Sequence, residues 1–431
     1  MSKQEKKDLV PKKRFPEFRD EGEWQSKQLG KLSTILRGGS PRPIDSYLTT
    51  EQDGLHWLKI GDVDKESKYI SRTEARVKVT ALSKTREVHP GDLIMSNSMS
   101  FGRPYIMQIK SCIHDGWIAV TSITDSVNLD YLYYFILSNS AQTYFTNAAA
   151  GGGIKNLNAD IIKLLPVSYP ELKDEQQKIV DCLTSIDELL TAQTQKLDAL
   201  KRHKKGLMQQ LFPSEGETEL KLRFSEFRGK LTKSKIGKVV DLLSGYAFKS
   251  EYFSENGTKL LTPKNFTKEG SASFKEGNTK YTSEIVDEKY ICEGGDLLLL
   301  LTDLTPTCEM LGRPLQLKQS DGKVLLNQRI VKITPKGSVN INFLHYFFST
   351  DSYRQRIKAT ATGSTVRHSS NKIISGTDVY LPTEPEQQKI ADCLSSIDEL
   401  ITAQTQKIEA LKAHKKGLMQ QLFPVMNEVM A

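Results

Sequence analysis

Few clusters in this chain could perform bond-making chemistry. Asp62, Asp64, Glu66 and Lys68 set three carboxylates and an amine close together, the residue types of a metal-dependent nuclease. They fall in one polar turn with no counterpart elsewhere, so they read as solvated turn residues. No G-x-x-x-x-G-K-[ST] phosphate loop occurs, which argues against ATP hydrolysis by this chain. No Asn-Pro-Pro-aromatic or Asp-Pro-Pro-aromatic tetrapeptide, the usual site of adenine amino-methylation, occurs either. His203 and His414 stand without Cys or His at ligand spacing, so no metal site and no catalytic residue is expected.

What the chain offers instead is loops with side chains suited to a nucleic acid. Arg, Asn and Gln read base edges, whereas Lys mostly holds phosphates. The loop "SNSMSFGRP" (96–104) carries Ser98 and Arg103, and its match "LTDLTPTCEMLGRP" (301–314) carries Arg313. "TNAAAGGGIKNLN" (146–158) sets Lys155 and Asn156 after three glycines that permit close backbone approach. Its match "ATATGSTVRHSSN" (359–371) carries Arg367 and His368, with Lys372 next in the chain. "PKNF" (263–266) adds Lys264 and Asn265, and "NQR" (327–329) adds Gln328 and Arg329. Each alone would pass for a surface residue; their recurrence at matched places makes them the expected DNA-binding set.

These loops must be positioned by strands and helices. "WLKIGDV" (57–63), "ARVKVT" (75–80), "DLIMS" (92–96), "IVKIT" (330–334) and "DVYLP" (378–382) read as strands. "NLDYLYYFILSNSAQTYF" (128–145) and "NINFLHYFFSTDSYRQRI" (340–357) read as equivalent helices. Leu132, Phe135 and Ile136 in one, and Leu344, Phe347 and Phe348 in the other, form the buried face.

The strongest signal is a long helix written twice. "EQQKIVDCLTSIDELLTAQTQKLDALKRHKKGLMQQLFP" (175–213) recurs as "EQQKIADCLSSIDELITAQTQKIEALKAHKKGLMQQLFP" (386–424), identical at 33 of 39 positions. Asp174, and Thr383 to Pro385 in the second copy, are the expected start signals. Heptad a and d sites are Ile179, Leu183, Ile186, Leu190, Gln193, Leu197, Leu200, Lys204, Leu207 and Leu211. The second copy gives Ile390, Leu394, Ile397, Ile401, Gln404, Ile408, Leu411, Lys415, Leu418 and Leu422. Their aliphatic 4-3 spacing is that of a two-helix seam, with Gln193 and Gln404 as polar register pins. Acidic starts (Glu175, Asp181, Asp187, Glu188) and basic ends (Lys201, Arg202, Lys204, Lys205) favour antiparallel pairing. Met208, Phe212, Met419 and Phe423, near the helix ends, are expected to bind partner proteins.

Around the helices the halves correspond sparsely. "RFPEFR" (14–19) returns as "RFSEFR" (223–228), "LGK" (29–31) as "IGK" (236–238), Gly38 as Gly245, and "PGDLIMS" (90–96) as "GGDLLLL" (294–300). The expected organisation is a basic tail (1–13), a variable body (14–172), a helix (173–213), a linker (214–222), a second body (223–383), a second helix (384–424) and a tail (425–431). The order suggests a closed, pseudo-twofold circle cut at one linker. The fold class is α+β.

Composition agrees. The chain has 431 residues, 38% hydrophobic and 26% charged, with net charge +8 from 60 basic and 52 acidic side chains, which permits nucleic-acid binding. Its longest aliphatic run, Leu297 to Leu301, is far too short for a membrane span. Cysteines 112, 182, 292, 308 and 393 form no C-x-x-C pair, pointing to a reduced, cytoplasmic protein.

The repeated "EQQKI…KKGLMQQLFP" helices, the "RFPEF"/"RFSEF" openings and the two variable bodies closely resemble the specificity subunit of type I restriction–modification enzymes, over almost the whole chain. The resemblance implies that each body is a target-recognition domain reading half of a split, asymmetric site on double-stranded DNA. It implies that the helices form an antiparallel coiled coil that spaces the domains and docks two methyltransferase subunits. S-adenosylmethionine, ATP and Mg2+ would then be bound by partners, which include two restriction/translocase subunits, and this chain would itself be non-catalytic. A coiled-coil scaffold without DNA specificity is the alternative, but it leaves the paired polar loops unexplained.

Overall fold

The computed structural model describes residues 9–64, 66–97, 102–149, 157–305 and 307–424. Chain contacts divide it into two units: Met1–Thr194 with Gln406–Ala431, and Gln195–Thr405. Each unit therefore holds one variable body, the first part of one long helix and the last part of the other.

Both bodies use two small sheets, and the chain passes between them several times, once through a matched three-residue turn. In the first, one sheet orders Thr34–Arg37, Trp117–Thr121, Leu93–Ser96, Pro104–Met107 and Tyr69–Ile70. The other orders Leu48–Thr49, Ala75–Val77, Leu55–Leu58, Ser111–Ile113 and Arg86–Val88. Residues 114–116 carry the chain from the second sheet into the first. The second body orders Val240–Ser244, Ile330–Pro335, Leu297–Leu300 and Pro314–Gln316 in one sheet. Its other sheet orders Phe253–Ser254, Lys280–Thr282, Thr258–Leu261, Val324–Leu326 and Ile291–Cys292, and here residues 327–329 make the crossing. Leu297–Leu300 is buried on both faces, which is why it reads as an unbroken aliphatic run rather than an alternating one.

Three local expectations need correction. The strand expected over 57–63 ends at Leu58, because Ile60–Asp62 coils into a 3-10 turn whose Asp62 carboxylate accepts the Lys59 amide at 3.0 Å. The strand expected over 75–80 likewise gives way to a 3-10 turn, Val79–Lys84. Each helix expected between sheet and long helix is two: Leu129–Leu137 with Asn139–Ala149, and Ile341–Phe347 with Asp351–Ala359. Ser138 and Thr350 adopt extended backbone at the breaks, and Thr350 caps the following helix through the Tyr353 amide. The expected buried faces of these helices do lie in the cores.

The long helices run Lys173–Leu211 and Glu384–Leu422, 39 residues each, or about 58 Å at 1.5 Å per residue. Asp174 lies inside the first turn rather than capping it. No heptad a or d position is exposed in either helix. In the first unit Leu418, Met419, Leu422 and Phe423 pack with Ile179, Val180 and Leu183; in the second, Leu207, Met208, Leu211 and Phe212 pack with Ile390, Ala391 and Leu394. The end of one helix thus meets the start of the other, which is antiparallel pairing. The charges behave as their gradient requires: Lys415 binds Asp187, and Lys204 binds Asp398 at 2.6 Å. Tyr134 and Tyr346 donate their hydroxyls to the same aspartates at 2.8 and 2.9 Å, tying body to helix pair identically in both units.

The repeated Glu-Gln-Gln opening has an internal cause. Arg14 forms a fork to buried Glu175 with both bonds at 2.7 Å, and Arg223 forms the same fork to Glu386. Gln176 accepts the Asn128 amide at 2.7 Å, and Gln387 accepts the Asn340 amide at 2.9 Å, fixing the residues that cap the next helices. The Lys13 amide bonds the Gln421 carbonyl at 2.9 Å, matching Leu222 to Gln210 at 3.1 Å, so the expected circular order closes within the first unit.

All five cysteines are free. Burial pushes the Cys112 and Cys292 thiols up to about 11 and 12, leaving them protonated core residues. Among the described residues no helix is long and apolar enough to cross a membrane, and no cluster of metal-binding side chains occurs.

Candidate nucleic-acid interface

In the second unit the expected residues gather because strand ends gather. Leu261 and Leu326 end neighbouring parallel strands, so the turn 262–265 lies beside 327–329. Leu300, Ile330 and Ser244 end three strands of the other sheet on the same side, and the Leu301 amide reaches the Arg329 carbonyl at 2.8 Å. Thr302–Asp303 pairs with Arg367–His368, and the Ser369 amide bonds the Leu301 carbonyl at 2.9 Å. Lys264, Gln328, Arg329, His368 and Lys372 are exposed on this tip. Asn371, a neighbour not expected from sequence, reaches Ser244 Oγ at 2.9 Å.

Three expected readers have structural employment. Asn265 is fully buried: its Oδ1 accepts from the Thr262 amide and hydroxyl at 2.8 Å, and its Nδ2 donates to the Ser273 and Asn278 carbonyls. It braces the turn and cannot meet a base, a correction that follows from its complete use of donors and acceptors. Arg313 donates Nε to the Glu309 carbonyl (2.7 Å) and Nη1 to the Lys268 carbonyl (2.9 Å). Arg367 donates to Cys308 Sγ at 3.3 Å and to the Gly363 carbonyl at 2.6 Å.

The loop bearing Arg313 is held from within. Asp303 accepts the Thr305, Met310 and Leu311 amides, which hold its carboxyl below the usual range although burial alone would raise it. Arg354, buried beneath, donates to the carbonyls of Cys308, Glu309 and Leu311; burial, with Arg313 nearby, pushes it down to about 10. In the first unit Gln142 takes the same place and donates to the Gly102 carbonyl at 3.2 Å. Gly102 and Gly312 share positive φ, +71° and +69°, the left-handed turn that glycine permits in both "GRP" loops.

Ser98, Lys155 and Asn156 lie outside the described residues. Arg103 is half-buried over the Tyr105 ring at 5.8 Å, its Nε without a partner among the described residues. The first unit's tip is built mainly from residues not expected from sequence. Residues 37–42 and 114–116 lie together, and a Cβ on Gly38 would collide with the His114 carbonyl, as one on Gly245 would with the Asn327 carbonyl. Asp115 stands at the apex, hydrogen-bonded by Ser40 Oγ at 2.7 Å, with Arg42 at 3.8 Å. The matched glycines, and the place of "HDG" and "NQR" just before equivalent strands, were the available signal.

At the helix ends Phe212 and Phe423 correct the partner-binding expectation. They are 3% and 2% exposed within the two cores, and uncovering a Phe would forfeit about 1.5–3 kcal/mol. Met208 and Met419 are half-buried against the same cores. Among the described residues, the large apolar side chains exposed at equivalent positions of the repeat are instead Leu189 and Leu400, 40% and 55% exposed.

Comparisons with known proteins accord with this architecture. The sequence model of the type I restriction modification DNA specificity domain matches residues 21–202 and 229–413. The chain is 25% identical over 305 residues to the type I restriction enzyme MjaVIII specificity subunit of Methanocaldococcus jannaschii, covering 68% of this chain and 70% of that one. It is 22% identical over 426 residues to the MjaX specificity subunit of the same organism, covering 93% of each. Its fold is shared with the S subunit of a type I restriction-modification system from M. genitalium: TM-score 0.56, 15% identity, 97% of this chain and 100% of that one. A chain from a structure concerning complex assembly and conformational transition of the type I R-M system gives a TM-score of 0.60 at 14% identity, covering 93% and 97%.

Proposed function

This chain belongs to the type I restriction modification DNA specificity family, and we propose that its two bodies read the two halves of one asymmetric, bipartite DNA site. The observation that carries this reading is the pairing of a shared frame with unlike tips. The helix-start forks, the Tyr–Asp–Lys ties and the colliding glycines recur, while the polar side chains on the tips do not: exposed Arg42 and half-buried Asp115 in one unit, exposed Lys264, Gln328 and Arg329 in the other. Strand ends that carry different polar side chains on the same backbone are what two different half-sites require.

In this reading the long helices set the distance between the half-sites and dock two methyltransferase subunits, through which two restriction/translocase subunits join. Leu189 and Leu400 support the docking role, because they are exposed apolar residues at equivalent helix positions. S-adenosylmethionine, ATP and Mg2+ belong to the partners, the present chain is non-catalytic, and the complex works in the cytoplasm.

The test is methylome sequencing of cells carrying this chain with its methyltransferase partner. A new bipartite motif with methyladenine on both strands is expected, and absence of any motif with an active partner would overturn the reading. Deleting one heptad from each long helix keeps the seam and removes about 10 Å, so the spacer should shorten by about three base pairs at 3.4 Å each. An unchanged spacer would refute the ruler role alone.

A further inference from the structure

We infer that Arg42 reads a guanine in the half-site of the first unit and that Asp115 is its positioning residue; the inference rests on the specificity-subunit reading above.

Asp115 is held through its main chain and one carboxylate oxygen. Its carboxylate accepts the Ser40 hydroxyl at 2.7 Å, and its amide bonds Ser40 Oγ at 3.3 Å. Its carbonyl accepts Arg37 Nε at 3.3 Å and Asn97 Nδ2 at 2.9 Å. The Ser40 bond, chiefly, holds the carboxyl below the usual range, with the nearby His114 and Arg37 acting the same way. His114 Nδ1 lies 3.6 Å from Asp115 Oδ1, but it accepts the Gly116 amide at 2.7 Å and burial lowers its basicity, so a neutral His114 leaves the carboxylate's charge to Arg42. The turn is fixed from below by the close approach of Gly38 to the His114 carbonyl.

The apex of this turn carries an exposed ion pair. The Arg42 side chain is 84% exposed, and its Nη2 lies 3.8 Å from Asp115 Oδ2. A carboxylate at a DNA-facing tip repels phosphate, so a rigidly held one is useful only toward bases or toward an arginine that meets bases. Guanidinium is a planar fork that fits guanine O6 and N7 bidentately, and the carboxylate beside it, at ion-pair rather than hydrogen-bond distance, draws the fork to the apex of the turn. The second unit has Gln328 in place of Asp115 and Lys249 in place of Arg42, and the nearby Glu284 is taken up by the Tyr246 hydroxyl and the Lys249 amide, so an arginine–aspartate pair on this turn is particular to one half-site.

The experiment compares methylation motifs of the complete complex carrying wild-type chain, Arg42→Ala, Arg42→Lys, Asp115→Asn or Arg329→Ala. Both Arg42 variants should lose discrimination at a single guanine position by roughly 5- to 150-fold, leaving the other half-site intact. Asp115→Asn keeps the Ser40 contact and should relax that same position with an unchanged melting temperature. Arg329→Ala should leave this position untouched. Uniformly weaker methylation with a shallower salt dependence would make Arg42 a phosphate contact and overturn the inference. Relaxation at a cytosine by Asp115→Asn, with Arg42→Ala silent, would overturn it in favour of direct reading by the carboxylate. A wild-type complex with no bipartite motif would instead overturn the underlying reading, and this inference with it.

Discussion

The helix starts and the strand-end tips are the two most instructive regions to compare. At the helix starts the units agree almost atom for atom: Arg14 and Arg223 fork onto Glu175 and Glu386, and Gln176 and Gln387 take up the amides of Asn128 and Asn340. At the tips the backbone agrees and the side chains do not. Gly38 and Gly245 make the same close approach, yet one turn presents Asp115 and the other Gln328 and Arg329. Near-identity at the helix starts thus marks buried polar contacts that tolerate little change, and along the exposed faces of the long helices it marks surface that both copies share. Divergence marks surface positions where change alters what is bound, not whether the unit folds.

The largest effect should come from breaking a fork. Arg14→Ala leaves Glu175, 1% exposed, without its buried partner, and should cost about 3–5 kcal/mol in urea unfolding. The Arg223 side chain is 24% exposed, so Arg223→Ala should cost less. Equal losses would break the link between burial and cost.

Asn265→Ala should cost about 2–3 kcal/mol, because it strands the buried groups that Asn265 satisfies. The neighbouring Lys264→Ala should leave the melting temperature unchanged.

His345 sharpens the contrast between the units, since its counterpart in the first is Tyr133. Burial, with Lys204 nearby, pushes His345 down to about 4. The unfolded state then binds more protons below the ordinary histidine value. The contribution is full above pH 6.5 and is lost as pH falls toward 4, about 3 kcal/mol in all. His345→Tyr should flatten that part of the pH–stability profile, and an unaltered profile would refute the assignment.

Leu189→Glu and Leu400→Glu should each weaken assembly with the methyltransferase by about tenfold or more while leaving the circular dichroism spectrum unchanged. Normal co-purification at sub-micromolar concentration would remove these residues from the interface. The smallest effect is expected from Lys264→Ala on DNA: a uniform loss of affinity, with the salt dependence reduced by about one ion.

By itself the sequence determined the repeated helix, its 4-3 seam, the antiparallel pairing and the correspondence of the halves. These depend on periodicity, charge order and recurrence, which are properties of the chain as written. Tertiary structure decided which polar residues face solvent. Asn265 and Gln328 are both amides in candidate loops, but one is enclosed by four hydrogen bonds and the other lies open. It decided that Phe212 and Phe423, apolar at helix ends, fill cores rather than await partners. It also brought residues 37–42 against 114–116, which are distant in sequence and carry no shared motif. Burial and long-range juxtaposition depend on what the rest of the chain places opposite a residue, so no local pattern encodes them.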